Sequence, residues 1–260
     1  MRLQLDAVAS ESLSGTVFFE IGAQTWGKDS KNGGALGADG NDVVKLKNAY
    51  IDWMVPQTDL KVRMGIQGVA LPSMTTGSNV FNDDVAGVVA SYQFNENVGL
   101  TAFWARPWND NFTGWNDTVH GDNYQSNYMD NVDVFALLLP LSFDGVKVTP
   151  WGMGGIIGHD SFKGGNFDLN YPMAQGMLPL MGTSTIVANS DKDHGSAWFG
   201  GVSADLSYFD PFRFALDAAY GSVDLGTSKL NGKNFDVKRS GWYAALLAEY
   251  KLESCTPGLL

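Results

Sequence analysis

Apolar and polar side chains alternate along most of the chain. In the stretch Leu60 to Gly68 (LKVRMGIQG), apolar residues occupy the even positions up to Ile66, and Lys61, Arg63 and Gln67 occupy odd positions. Neighbouring side chains of a β-strand point to opposite faces of its sheet. This stretch therefore predicts a strand with one apolar face and one charged face.

The same alternation recurs along the sequence and predicts about eleven strands. They span Arg2 to Ala9, Thr16 to Trp26, Val44 to Val55, Leu60 to Val69, Ala86 to Phe94, Val98 to Ala105, Val132 to Ser142, Val146 to Ile156, Ala197 to Tyr208, Phe212 to Tyr220 and Val237 to Leu252. Helical periodicity is nearly absent, so the predicted fold class is all-β.

The connections between these strands alternate between short and long. The short ones carry turn-forming residues: Ser10 to Gly15, Pro56 to Asp59, Asn95 to Asn97, Phe143 to Gly145 and the stretch around Asp210 and Pro211. The long ones are Gly27 to Val43, Ala70 to Val85, Arg106 to Asn131, Ile157 to Ser196 and Gly221 to Asp236. An antiparallel up-and-down meander places all short turns at one end, which is typical of a transmembrane β-barrel of the bacterial outer membrane.

Aromatic residues of apolar parity provide an independent indication, because a membrane barrel carries aromatics at both lipid interfaces. Near the short turns lie Trp53, Tyr92, Phe94, Tyr208, Phe212 and Tyr250, and near the long loops lie Trp104, Trp198, Tyr220 and Trp242. The distance from Trp198 to Tyr208, at roughly 3.3 Å per residue and a tilt near 40°, is roughly 25 Å. That height matches the apolar band of a membrane barrel, so we expect the apolar faces to meet outer-membrane lipid.

Composition excludes several other classes. The net charge of −11 and the absence of a basic stripe argue against a nucleic-acid partner. The longest apolar stretch, Val134 to Leu141, is too short for a membrane helix. The single cysteine, Cys255, rules out an intrachain disulfide. We expect no enzyme, because no nucleophile, base and orienting group come together on any strand end.

We also expect no cofactor and no metal site. The clusters Gly37 to Asp42 and Ser190 to Gly195 are rich in aspartate, but neither completes the EF-hand pattern. The three histidines lie in predicted loops without the spacing of metal ligands.

The first and the eleventh predicted strands run in the same direction, whereas bacterial single-chain barrels have an even number of strands. We therefore expect residues 1–260 to form a single barrel domain that is incomplete at both ends. At least one strand is expected before Met1, and more after Leu260.

Four stretches resemble the homotrimeric outer-membrane porins of sulfate-reducing bacteria: Ala9 to Gly27, Lys47 to Pro56, Leu60 to Met74 and Trp242 to Leu252. The resemblance implies a trimer of barrels with about sixteen strands each. It also implies a passive channel for small hydrophilic solutes or ions, with inorganic anions such as sulfate as a plausible cargo.

The residues expected to line such a pore are the charged and polar ones of inward parity. They are Lys61, Arg63, Gln67, Lys147, Arg213, Lys251, Glu20, Asp52, Asp205, Asp217 and Glu249. Because both signs are present, the pattern predicts weak ion selectivity. Lys61 and Arg63 are the best candidates for contact with anions, and the alternative is that they pair with Asp52 or Asp217 and neutralise the wall.

Two long loops compete as the constriction, Ile157 to Ser196 and Ala70 to Val85. Two other functions stay open on the sequence alone. One is a non-conducting structural or adhesive barrel of the outer membrane, and the other is a soluble, secreted β-sandwich that binds through its loops. The strict alternation of short and long connections disfavours the sandwich, since Greek-key connections break such an alternation.

Overall fold

The computed structural model of the chain describes residues 2–21, 44–109, 131–158, 161, 194–230, 232–252 and 258–259. Its strands are β1 (Arg2–Ser10), β2 (Leu13–Ile21), β3 (Val44–Met54), β4 (Leu60–Ala70), β5 (Asn82–Asn95), β6 (Val98–Asn109), β7 (Asn131–Leu138), β8 (Leu141–Phe143), β9 (Val146–Gly158), β10 (His194–Leu206), β11 (Phe212–Leu230), β12 (Lys233–Tyr250) and β13 (Gly258–Leu259). In the described ranges, no helix is long and apolar enough to cross a membrane.

All thirteen strands form one antiparallel sheet in which the strands follow one another in chain order, except that β7 pairs with β9 and β8 lies beside it. The predicted all-β, up-and-down architecture is therefore confirmed. The seventh predicted strand, Val132 to Ser142, is divided into β7 and β8 at Leu139 and Pro140. Proline has no N–H to donate to a neighbouring strand, which explains the interruption at this position. The line of pairing continues, because β8 also pairs with β6 and β9.

One predicted long loop, Gly221 to Asp236, is wrong. Strands β11 and β12 continue through this stretch until Leu230 pairs with Lys233, which leaves a two-residue connection. The connection is Asn231-Gly232, and Gly232 has a φ of 78°. Asn-Gly is the dipeptide that two-residue hairpins favour because its residues accept positive φ.

Other predicted loops cannot be compared with the structure. Gly27 to Val43 lies outside the described residues, as do most of Arg106 to Asn131 and most of Ile157 to Ser196. The cluster Gly37 to Asp42 and most of Ser190 to Gly195 also lie outside them.

Paired positions on neighbouring strands share a face of the sheet, so the register defines an inner and an outer face. The inner face carries a buried apolar cluster that runs from β4 to β12. Its members are Val69, Leu71, Phe81, Val85, Phe103, Ala105, Val132, Val134, Ala136, Trp151, Met153, Ile157, Ala197, Val223, Leu225 and Val237. Because residues from such distant strands share one cluster, the sheet curls around it.

The outer face is apolar without interruption over its central part. Between its aromatic residues it carries Leu60, Val62, Met64, Ile66, Val88, Ala90, Ala102, Leu137, Val148, Pro150, Gly152, Gly200, Val202, Ala204, Leu216, Ala218, Ala244 and Leu246. Many of these side chains are exposed, including Leu137, Leu216 and Leu246. The side chains of Leu60 to Gly68 thus point alternately to the outer and the inner face, as their alternation predicts.

A glycine shapes the sheet where β4 pairs with β3. Gly65 has a φ of +131°, and a Cβ atom built there would lie 2.2 Å from the carbonyl oxygen of Ala49 and 2.7 Å from Cα of Tyr50. A side chain at this position would meet both backbone strain and a main-chain clash, neither of which a rotamer change relieves. Gly65 therefore permits the close approach of β3 and β4.

We expect Gly65→Ala to lower the free energy of unfolding. Backbone strain alone should account for about 1 to 3 kcal/mol of the loss. Gly154→Ala is the matched control, because nothing lies within 4 Å of a Cβ built at Gly154. Denaturant unfolding followed by tryptophan fluorescence measures both variants. Equal stability of the two would contradict the role assigned to Gly65.

Candidate functional site

The connection between β4 and β5 folds onto the inner face, and we call residues 71–81 the inner segment. Its two ends are joined where the Leu71 amide donates to the Phe81 carbonyl at 3.0 Å. Both side chains are buried, and the Phe81 ring stacks on Phe103 with centroids 5.9 Å apart. The predicted loop Ala70 to Val85 is therefore the described long loop that enters the space enclosed by the sheet, whereas residues 162–193 of its rival lie outside the described residues.

The inner segment is held on β11 by the carboxylate of Asp217. Oδ1 accepts the backbone N–H of Met74 at 2.9 Å, and Oδ2 accepts the N–H of Thr75 at 3.0 Å. Oδ2 also accepts the Ser73 hydroxyl at 2.6 Å and the hydroxyl of Thr75. Charge-assisted hydrogen bonds of this kind are about twice as strong as neutral ones. Because β4 and β11 lie far apart in the sheet order, this carboxylate fixes a contact across the enclosed space.

Two more hydrogen bonds hold the same segment. Ser203 of β10 donates its hydroxyl to the Pro72 carbonyl at 2.8 Å, and Nη2 of Arg213 donates to the Met74 carbonyl at 3.4 Å. Ser203 is almost fully buried. The backbone carbonyls of Pro72 and Met74 are thus paired with side chains of β10 and β11.

The tip of the inner segment is closed by its own side chains. The Ser73 hydroxyl accepts the N–H of Gly77 at 3.0 Å, where the backbone has a φ of +98°. The Ser78 hydroxyl accepts the N–H groups of Val80 and Phe81, each at 3.3 Å. Serine is suited to such local turns. The segment carries no ionisable side chain between Leu71 and Phe81, so charge in this region comes from the strands.

One cationic cluster lies on the inner face of β3 and β4. Arg63 donates from Nε and Nη2 to the two carboxylate oxygens of Asp52, both at 2.7 Å. Nζ of Lys61 lies 3.5 Å from Oδ2 of the same carboxylate, and the Arg63 guanidinium stacks 4.1 Å from the Tyr50 ring centroid. Two cations share one carboxylate here. The charge of this cluster, Tyr50, Asp52, Lys61 and Arg63, is therefore net positive.

A second cluster on β10, β11 and β12 has the opposite balance. Nε of Arg213 donates to Asp205 Oδ2 at 2.6 Å, and Nη1 donates to Glu249 Oε2 at 2.5 Å. One cation thus serves two carboxylates. Because Arg213 also bonds the Met74 carbonyl, the inner segment is linked to this acidic cluster.

The predicted pore-lining residues are divided between several environments. Lys61, Arg63 and Asp52 meet in one cluster, and Arg213, Asp205 and Glu249 meet in another, as given above. Lys61 and Arg63 contact Asp52 and not Asp217, which binds the inner segment instead. Lys147 lies on the inner face opposite Asp205, and Glu20 contacts Arg2 at 3.1 Å and Lys47 at 3.8 Å.

The other three predicted pore-lining residues are Gln67, Asp217 and Lys251. Gln67 is only 1% exposed, because its amide donates to the carbonyls of Gly87 and Arg63 and braces β4 against β5. Asp217 is only 5% exposed beneath the inner segment. Lys251 follows the end of β12 at the short-turn rim, where its N–H donates to the Pro211 carbonyl at 2.9 Å.

The predicted interface aromatics lie in two groups on the outer surface. Near the short turns, Tyr92 packs on Phe94 and Phe212 on Tyr250, with Trp53 and Tyr208 exposed nearby. Near the long loops, Trp198 packs on Tyr220, and Trp242, paired with Tyr220, is 79% exposed. Trp104 is half-buried and donates from Nε1 to Asp133 at 2.9 Å.

Apart from Asp217, sequence reasoning missed the polar residues that hold the inner segment. Ser73, Thr75 and Ser203 carry no motif, although Ser203 lies at inward parity in a strand whose outer positions are apolar. That inward parity was the feature from which an inner position of Ser203 could have been predicted. The residues of the segment follow no strand pattern, so their partner could not be identified from spacing.

No family model matches the chain, and no curated protein matches it. Among solved structures, the chain is similar to OmpTdeltaL8, a loop L8 deletion mutant of OmpT, which is an outer membrane protein of Vibrio cholerae. The identity is 14%, the TM-score is 0.43, and the match covers 99% of this chain and 84% of that one.

We expect Asp217→Ala to release the inner segment, because it leaves the N–H groups of Met74 and Thr75 without their acceptor. Each unpaired buried donor costs about 1 to 3 kcal/mol. Hydrogen exchange measured by mass spectrometry should show faster exchange across residues 71–81. Asp236→Ala on β12 removes an exposed carboxylate away from the segment and is the control. Unchanged exchange in Asp217→Ala would refute the anchoring role.

Proposed function

We propose that the chain is a porin-type β-barrel of the bacterial outer membrane, which forms a passive aqueous channel for small hydrophilic solutes or ions and has no enzymatic role. The inner segment would form the constriction of this channel. The homotrimer that the family resemblance implies is part of the proposal.

The outer face is the observation that carries the membrane placement. From Phe212 to Tyr220 and from Tyr250 to Trp242, it contains no polar side chain between the aromatic ends. Eight residues at roughly 3.3 Å each and a tilt near 40° give a height of roughly 20 Å. A soluble protein rarely exposes so large an apolar area, whereas lipid would cover it without cost to backbone pairing within the sheet.

The inner face supports the channel. Two ionic clusters of opposite balance, one on β3 and β4 and one on β10 to β12, both lie on this face. Charged groups placed inward need water or a counter-charge, and both are available in an aqueous lumen. The nearly balanced charge favours weak selectivity between small cations and anions, with inorganic anions such as sulfate among the solutes to test.

A non-conducting structural barrel is the second candidate, and the buried apolar cluster favours it. That cluster lies on the inner face from β4 to β12 and is covered in part by the inner segment. If the remaining lumen is too narrow for water, the same fold would serve as a surface protein. Conductance separates the two functions.

We expect the full chain in a planar bilayer to give stepwise single-channel openings, with a reversal potential near zero in a salt gradient because the inner charges nearly balance. Asp217→Ala should enlarge or destabilise the conductance steps by releasing the constriction. Complete absence of openings from an inserted barrel would favour the non-conducting function.

The membrane placement has its own test at Leu246, which lies midway between Trp242 and Tyr250 and is 62% exposed. In lipid, Leu246→Arg should lower stability by about 2 to 4 kcal/mol, as for arginine at the bilayer midplane. In water, an exposed substitution of this kind changes stability by about 0.5 kcal/mol or less. Denaturant unfolding from lipid vesicles measures the difference.

Ser240→Arg is the depth control for Leu246→Arg. Ser240 lies on the same face of β12 beyond Trp242, where arginine should cost only about 0 to 1 kcal/mol. Equal effects at the two positions would contradict a lipid-facing outer surface.

A further inference from the structure

A cavity of about 310 Å³ opens on the inner face across β4, β5, β6 and β7. Ligand pockets commonly have volumes of about 300 to 1,000 Å³ and combine an apolar lining with a few convergent polar groups. The lining of this cavity has that character. It is separate from the small space beneath the inner segment, which Pro72, Asp217 and Tyr243 border.

The two sides of the cavity differ in chemistry. Its β4 side carries Lys61 and Arg63, and its β5 to β7 side carries Val89, Phe103 and Leu138. The register places Lys61 in line with Ser91, Thr101 and Leu138, and Arg63 in line with Val89 and Phe103. A bound molecule would therefore meet cations at one end and hydrocarbon at the other.

The charge at the cationic end matches one negative charge. Lys61 and Arg63 share the single carboxylate of Asp52, so the cavity keeps an excess of one positive charge. The Lys61 ammonium lies 3.5 Å from that carboxylate, and because the Lys61 side chain is 44% exposed the ammonium can also face a solute. A monovalent anion restores neutrality, whereas a dianion would leave one charge uncompensated.

The apolar side selects further between anions. A fully hydrated inorganic ion would have to lose water against Val89 and Phe103 without gaining a hydrogen bond there. An anion with a compact hydrocarbon body gains from burying that body against the same side chains. The hydroxyls of Ser91 and Thr101 lie in the row between the two sides and are hydrogen-bonded to each other at 3.1 Å, so one of the two keeps a hydrogen to donate to a carboxylate.

We propose that this cavity binds monovalent organic carboxylates with a compact apolar body, of the size of benzoate. The inference deepens the proposed channel function, since the solute would reach the cavity through the lumen. It names the class of solute for which Lys61 and Arg63 are placed.

The binding test uses 4-fluorobenzoate and the full chain folded in lipid vesicles, followed by fluorine NMR. We expect saturable line broadening that benzoate reverses. Benzyl alcohol, which keeps the ring without the charge, should not reverse it, and sulfate should do so only at far higher concentration. Equal competition by sulfate, or an unsaturable signal, would overturn the inference.

Two variants address the two sides of the cavity. Lys61→Gln should raise the Kd for 4-fluorobenzoate by roughly fivefold, the upper range for a single exposed charge contact. Val89→Thr, nearly unchanged in size, should raise it by replacing a methyl group with a hydroxyl. Lys233→Gln is the matched control, because it removes one positive charge at the far tip of the β11–β12 hairpin. Equal weakening by Lys61→Gln and Lys233→Gln would show a nonspecific effect of charge and overturn the site.

Conductance measured on the same samples separates this inference from the proposed function. Saturable binding without channel openings would reject the channel and retain the cavity. Channel openings without selective binding would retain the channel and reject the cavity. In a conducting sample, benzoate should reduce the chloride current saturably, and Lys61→Gln should shift the half-blocking concentration by the same factor as the Kd.

Discussion

The alternation of side chains between two faces is the constraint on which the whole structure depends. The middle of each strand from β4 to β12 presents apolar residues outward in register with those of its neighbours, so a slip of one residue in a pair such as β3 and β4 would turn charges such as Arg63 outward. In lipid that exchange costs several kcal/mol. The outer aromatic residues and the inner ionic clusters are both consequences of the same register.

An inner face this apolar needs a cover as well as a register. The cluster around Phe103, Val134 and Trp151 would meet water if nothing lay on it, and the inner segment buries Leu71 and Phe81 against it. A segment without regular structure must also find partners for its backbone groups. Asp217 and Ser203 supply them from the facing strands. The fold thus uses buried polar residues to hold an apolar cover in place.

The two ionic clusters show why the sign of individual side chains is a poor guide to selectivity. Lys61 and Arg63 suggest an anion path, but Asp52 compensates one of them. Arg213 also suggests an anion path, yet it contacts two carboxylates, which leave a net negative charge in its cluster. Selectivity at this face depends on how many partners each charge has and on the apolar surface beside it. The cavity next to Val89 combines both properties, and the proposed preference for organic over inorganic anions depends on this combination.

The sequence by itself determined the strands and their two faces, because alternation with a period of two is a local property that each strand carries on its own. It predicted Leu60 and Lys61 on opposite faces, and the aromatic ends around Trp198 and Phe212, from spacing alone. The sequence pattern wrongly predicted a loop at Gly221 to Asp236, where Asn-Gly joins two extended strands. A polar stretch is equally compatible with a strand and with a loop.

Only the tertiary structure decided which residues meet across the sheet. The bond from Asp217 to Thr75 joins positions far apart in sequence, and no local pattern in either stretch specifies the other. The same holds for the choice of Asp52 as the partner of Arg63 and for the burial of Gln67, which depend on how strongly the sheet curls. Curvature is a collective result of register, twist and positions such as Gly65, and it becomes defined only when all the strands are in place.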